Sequence, residues 1–236
     1  MGKDLESPYR NGKPDWASLY RARCDEVSPA RPIFTGDVFT GLQLAGRTGS
    51  VKSRSVMVVQ HPCSMRSDGV KLSWQILVAE VSTRRLLDEP EWQGNVNLMP
   101  LPELLPDKTS QARNQAADFD ALYTVSPDRL VNRVACLSPF GVNLHLQRWV
   151  HYNSRVVVPT TDFQEQSSAF YEEADLIEEW CDELGDSDVQ AATAACVGWL
   201  RKPVSGSTLQ EMLKDPQARS TVRRAMREEI KTRRAD

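Results

Sequence analysis

The chain has 236 residues, 40% of them apolar, with 29 basic and 32 acidic side chains giving a formal charge of −3. That is enough for one large domain, or a domain with a helical appendage, and it excludes a disordered or collagen-like chain. No run reaches the ~20 apolar residues of a transmembrane helix, and MGKDLESPYRNGKPDW lacks the apolar stretch of a signal peptide.

Residues 1–30 read as a tail in which Pro8, Pro14, Pro29 and Pro32 bracket one helical stretch, 16–27, with Asp15 as its N-cap. Thr35-Gly36-Asp37 is a turn, and the alternation over 38–44 predicts a strand. Residues 45–53 form a loop rich in Gly, Ser, Lys and Arg. Val56-Met57-Val58-Val59 is a buried strand that Pro62 ends, because proline donates nothing to a ladder. Asp68-Gly69 supplies a turn to the next strand, 73–81, so the two strands make a hairpin. The four prolines of 86–107 leave that stretch irregular, apart from a short strand at 94–98. Two more strands are expected at 119–125 and 133–137.

Ser138-Pro139 combines an N-cap with the residue best tolerated at the first helical position, and predicts a helix to about Tyr152. Its inward side carries Val142, Leu146, Trp149 and Val150. A late edge strand is expected at 155–159. Beyond Phe163 only helices are expected, at 168–184, 188–200 and 216–233, with 207–213 as a shorter fourth. Phe170, Leu176, Ile177, Trp180, Cys181 and Leu184 form an apolar stripe that must be buried. The ionisable groups of 172–188 are acidic apart from Cys181, and 219–234 is mostly basic. These runs read as solvated helix faces that partly pair with each other.

Short strands over 36–137 closed by one helix describe a small β-barrel. In order, Gly36-Asp37-Val38-Phe39, Arg54 before Val56-Met57-Val58-Val59, a strand running from Ile76 to the hydroxyls Ser82 and Thr83, and Val134-Ala135-Cys136-Leu137-Ser138-Pro139 resemble the PemK/MazF family of compact barrels. The resemblance covers 36–152, about half the chain. It implies an α+β fold, with a small, mainly antiparallel SH3-like barrel and a closing helix over 31–160; the irregular insertion at 86–118 and the helical extension at 161–236 are read from the residues and have no counterpart in the family's minimal form. It also implies a dimeric, metal-independent endoribonuclease of toxin–antitoxin or phage-defence type, acting on single-stranded RNA without a cofactor. Arg54 stands where that family has its phosphate-contacting arginine, and Ser82 or Thr83 where it has its hydroxyl. A guanidinium pairs with two phosphoryl oxygens at once and offsets charge that develops in a transition state. The chain departs from the family in a loop (44–53) without an acidic residue, in Ser55 where a proline often follows the arginine, and in the insertion.

His61 and Cys63 are two apart at a strand end, so the two can touch, with His61 as a general base or Cys63 as a nucleophile. Zinc is disfavoured, since the chain has no paired ligand spacing such as C-x2-C. Five scattered cysteines point instead to reduced thiols in a cytoplasm. Arg47, Lys52 and Arg66, together with Arg148 and His151 beside Trp149 and Tyr152, are candidates for binding nucleic acid. Two alternatives stand beside the ribonuclease reading. One is a non-catalytic module docking a protein partner through its charged C-terminal helices, and the other is a thiol enzyme using Cys63.

Overall fold

The computed structural model describes residues 5–46, 49–66, 72–106, 113–184, 188–204 and 206–235. The chain divides into two compact units, one holding 1–27, 34–67 and 71–165, the other 28–33, 68–70 and 166–236. Among the described residues no helix is long and apolar enough to cross a membrane.

The first unit is α+β and is built on a seven-stranded antiparallel sheet. Its strands are β1 (Tyr20–Arg23), β2 (Val38–Ala45), β3 (Val51–Val58), β4 (Ile76–Thr83), β5 (Leu98–Leu101), β6 (Gln115–Val125) and β7 (Arg133–Leu137). They lie in the order β1-β7-β2-β3-β4-β6-β5. Among the described residues no pairing joins β1 to β5, and the closed barrel expected from the sequence is not found. The expected hairpin of β3 with β4 forms, with Ser55 opposite Val81 and Val58 opposite Val78; its Asp68-Gly69 turn lies outside the described residues.

Burial along β3 sets up the site. Val56, Met57 and Val58 are consecutive and fully buried, so both faces of that half are covered, whereas Val51, Lys52 and Ser53 are exposed. The strand therefore leaves the core at its Arg54 end. It also begins earlier than expected, because 51–53 continue the β2 ladder as far as the Ala45–Val51 pair. Gly36 adopts φ +84°, and a Cβ there would stand 2.8 Å from the Leu137 side chain. Asp37 is buried and accepts from the Phe34 amide at 2.9 Å, so Gly-Asp serves as a structural turn.

Helix α1 (Pro139–Ser154) starts as predicted, with Ser138 Oγ accepting from the Gly141 amide at 3.1 Å. It packs against β5, β7 and the 3-10 turn Trp16–Leu19. Arg155 ends it in the left-handed conformation, φ 60°, so the edge strand expected at 155–159 does not form. The N-terminal helix expected at 16–27 is also replaced. Asp15 makes no side-chain cap, and Tyr20–Arg23 joins the sheet edge against β7. Tyr20 Oη donates to the Pro102 carbonyl at 2.8 Å, a tertiary partner that outweighs weak local propensity. Within the irregular stretch, Glu89–Gly94 is a short helix closed by an Asp88/Glu91 capping box, and a strand follows at Leu98–Leu101.

The second unit is helical. Helix α2 (Thr160–Leu184) belongs to it from Gln166 onward and is joined by α3 (Val189–Leu200) and α4 (Arg219–Ala235). Leu176, Trp180, Cys196, Trp199, Val222 and Met226 fill its core. The acidic and basic runs pair with each other here. Arg223 meets Glu172 at 2.6 Å and Glu179 at 3.5 Å, Arg227 meets Glu179 at 2.8 Å, and Arg234 meets Glu183 at 2.6 Å.

Candidate functional site

Where β3 leaves the core, an open polar cleft of about 540 Å³ lies over the sheet. Ala45 and Gly46 at the end of β2, Arg54 on β3, Glu80 and Ser82 on β4, Arg84, and 118 with 120–123 on β6 line it. Alternation puts Glu80 and Ser82 on one side of β4. Arg54 sits one step beyond the Ser55–Val81 pair, level with Ser82.

A bulge brings β6 into the cleft. Ala79 pairs with Leu122 but Glu80 pairs with Asp118, so Phe119, Asp120 and Ala121 are extra residues on the longer strand. Phe119 packs edge-on against His145 and Trp149 of α1, with ring centroids 5.7 and 5.1 Å away. Asp118 and Asp120, on either side of it, line the cleft.

The charges of the cleft are held in place. Arg54 Nη1 pairs with Glu80 Oε1, and Tyr123 Oη donates to Glu80 Oε2 at 3.1 Å. Arg84 pairs with Asp118 at 3.2 Å. Asp120 accepts from Asn97 Nδ2 at 2.9 Å and from Tyr152 Oη at 2.6 Å, and this bond to a carboxylate raises the Tyr152 pKa. The side chains of Arg54 and Glu80 are 17% and 22% exposed, enough to meet a ligand yet screened from bulk water on most sides. The Arg54 guanidinium rests against Gly46, where a Cβ would stand 2.6 Å from Nη2. Its buried Nε has no hydrogen-bond partner among the described residues.

The structure thus brings Arg54 and Ser82 together but leaves the other candidates outside. Thr83 is exposed at the end of β4 and does not line the cleft. Lys52 is exposed two residues before Arg54. His61 and Cys63 sit past the opposite end of β3, where Val59 bonds to Leu77, five ladder positions or ~17 Å from the Arg54–Ser82 level. His61 is therefore not a base for chemistry at Arg54. It caps the short helix Pro62–Met65, and its Nδ1 lies 2.8 Å from Cys63 Sγ. Arg66 is half-buried and bridges to Leu72. Arg47 lies outside the described residues.

Arg148 is corrected outright. It is fully buried and donates to the carbonyls of Asn95 at 2.8 Å, of Leu98 at 3.2 Å and of Trp92, with its guanidinium 4.8 Å from the Trp92 ring centre. Burial lowers its pKa to about 9, which still leaves it charged at neutral pH. It holds the chain around the 89–94 helix and offers nothing to a nucleic acid. His151 is half-buried on the next turn of α1.

Sequence reasoning passed over Glu80, Arg84, Asp118, Asp120 and Tyr123. The signal was present in Glu80, a carboxylate inside the apolar run Ile76–Val81, because an ionised group in a core strand needs a partner. Among the described residues no group of His, Cys, Asp and Glu side chains is arranged to hold a metal ion. No family model matches the chain, and no curated protein matches it.

Proposed function

We propose that the protein binds single-stranded RNA in this cleft and cleaves it there, as the PemK/MazF resemblance implies. One observation carries the reading: Arg54 and Ser82, singled out from separate strands, line the same open polar cleft. In this account Glu80 fixes the guanidinium through one nitrogen, and the remaining Nη hydrogens of Arg54 take the phosphoryl oxygens. In the same account the Ser82 hydroxyl, on the cleft wall, bonds a phosphate oxygen. Asp118 and Glu80 supply carboxylates able to take the proton of a ribose 2′-hydroxyl as its oxygen attacks phosphorus. The bond to the 5′-oxygen breaks, a 2′,3′-cyclic phosphate forms, and the proton held by the carboxylic acid passes through water to the departing 5′-oxygen. Arg54 offsets the charge gathering on phosphorus-bound oxygen. The same reading takes the open seven-stranded sheet as an enlarged relative of the small barrel.

The test is cleavage of a labelled mixed-sequence RNA by the full chain in chelator. Cutting by the native protein, abolished in Arg54→Ala and at least ~10²-fold slower in Ser82→Ala, supports the reading. Intact, unbound RNA at saturating native protein overturns it.

A further inference from the structure

A second chemical centre lies at the other end of β3. Cys63 is exposed, whereas Cys136, Cys181 and Cys196 are buried and Cys24 is half-buried. Its Sγ lies 2.8 Å from His61 Nδ1. The same nitrogen accepts from the Cys63 backbone amide at 3.2 Å. An amide N–H only donates, so Nδ1 carries the lone pair and the ring proton sits on Nε2. The thiol lies within hydrogen-bond reach of the same nitrogen.

The surrounding turn keeps this arrangement fixed. Pro62 and Met65 are buried beneath it. Ser64 donates to the His61 carbonyl through its amide at 3.0 Å and its hydroxyl at 2.9 Å. Gln60 spans from the Ser64 carbonyl, 2.8 Å, to the Leu77 amide, 3.0 Å. Partial burial lowers the His61 pKa, so the imidazole is neutral and able to accept a proton at pH 7. The fully buried His145 is held neutral as well.

We infer that Cys63 is a nucleophilic thiol, with His61 as its base, that exchanges with low-molecular-weight disulfides. The Cys63 proton moves to Nδ1 as Sγ attacks one sulfur of the disulfide. The new S–S bond forms while the old one breaks, and the departing thiolate takes the proton back from His61. The disulfide is the oxidant, one thiol is released, and Cys63 is left as a mixed disulfide that a reducing thiol reverses. A nucleophile within hydrogen-bond reach of its base is the arrangement such chemistry needs. The site is separate from the Arg54 cleft and does not depend on its function.

The experiment treats the native full chain with oxidised glutathione at pH 7 and follows adducts by intact mass and peptide mapping. The expected result is one glutathionyl group, on Cys63, removed by dithiothreitol. His61→Asn keeps an acceptor for the Cys63 amide and the helix cap but supplies no base. It should slow the exchange about tenfold, since only a few per cent of an unassisted thiol is ionised at pH 7, with the melting curve unchanged. No adduct, first modification at another cysteine, or a native rate in His61→Asn overturns the inference.

Discussion

Gly46→Ala probes the cleft without touching a charged group. The new Cβ would stand 2.6 Å from Arg54 Nη2 but 3.7 Å from both Arg54 Cζ and the Ser50 carbonyl. Carbon and nitrogen at rest stay near 3.4 Å, so the guanidinium must withdraw by about 0.8 Å. The atom that yields is the far end of a flexible side chain, and Gly46 is not held at positive φ. The change in stability should therefore stay within about 0.5 kcal/mol, or favour the folded state slightly by restricting the unfolded chain. Function should respond differently, because a shift approaching 1 Å in a charge-stabilising group costs up to ~10²-fold in rate. Single-turnover RNA cleavage and a urea titration, run on the same preparations, separate the two effects. A Gly46→Ala protein that cuts at the native rate while Arg54→Ala is inactive would refute the placement of the guanidinium against Gly46. A loss beyond about 2 kcal/mol would refute the claim that the side chain yields freely.

Three further outcomes follow from the packing. Arg148→Met strips three backbone carbonyls of their donor and removes the cation from the Trp92 ring, so the urea midpoint should fall by the equivalent of about 3 kcal/mol; a change under ~0.5 kcal/mol would contradict the buried role. His145 is fully buried, and its pKa is depressed to about 4 chiefly by desolvation. Its contribution is complete above pH 6.5 and is lost as pH falls from 6.5 through 4, because the unfolded chain takes the proton first. The loss is on the order of 3 kcal/mol, and urea midpoints across that window should flatten in His145→Asn; an unchanged slope would contradict the assignment. Gly141→Ala puts a Cβ 2.3 Å from the Leu19 carbonyl oxygen, where backbone and not a side-chain tip must move, so its melting temperature should drop by the equivalent of about 2 kcal/mol or more; native-like melting would contradict that contact.

What could be read in the residues was whatever local chemistry decides. The strand at Val38–Ala45 and the helix at Pro139–Ser154 carry their own alternation, cap and proline, and α3 forms at Val189–Leu200, within one residue of the stretch expected. The acidic and basic runs do pair, as opposite charges on amphipathic helices should. What escaped depends on partners distant in sequence. Tyr20–Arg23 is a strand because β7 offers it a ladder, and nothing in those four residues announces that. Arg148 resembles an exposed cation on a helix until the carbonyls around Trp92 close over it. Asp120 reaches the cleft only because β6 has a bulge opposite Ala79 and Glu80, a register feature invisible in one strand's pattern. Arg54 and Ser82 were singled out through the family resemblance alone, and the antiparallel hairpin is the physical reason they share a level on one face of the sheet.

The most direct test of the central claim is the salt dependence of RNA binding. Uniformly 2′-O-methylated RNA blocks cleavage and allows equilibrium titration of the native chain and Arg54→Gln over a range of salt concentrations. If Arg54 holds a phosphate, the variant binds more weakly and its log–log salt slope is shallower by ~0.7, the value of one phosphate contact on a single strand. Equal affinities and equal slopes for the two proteins would contradict the account.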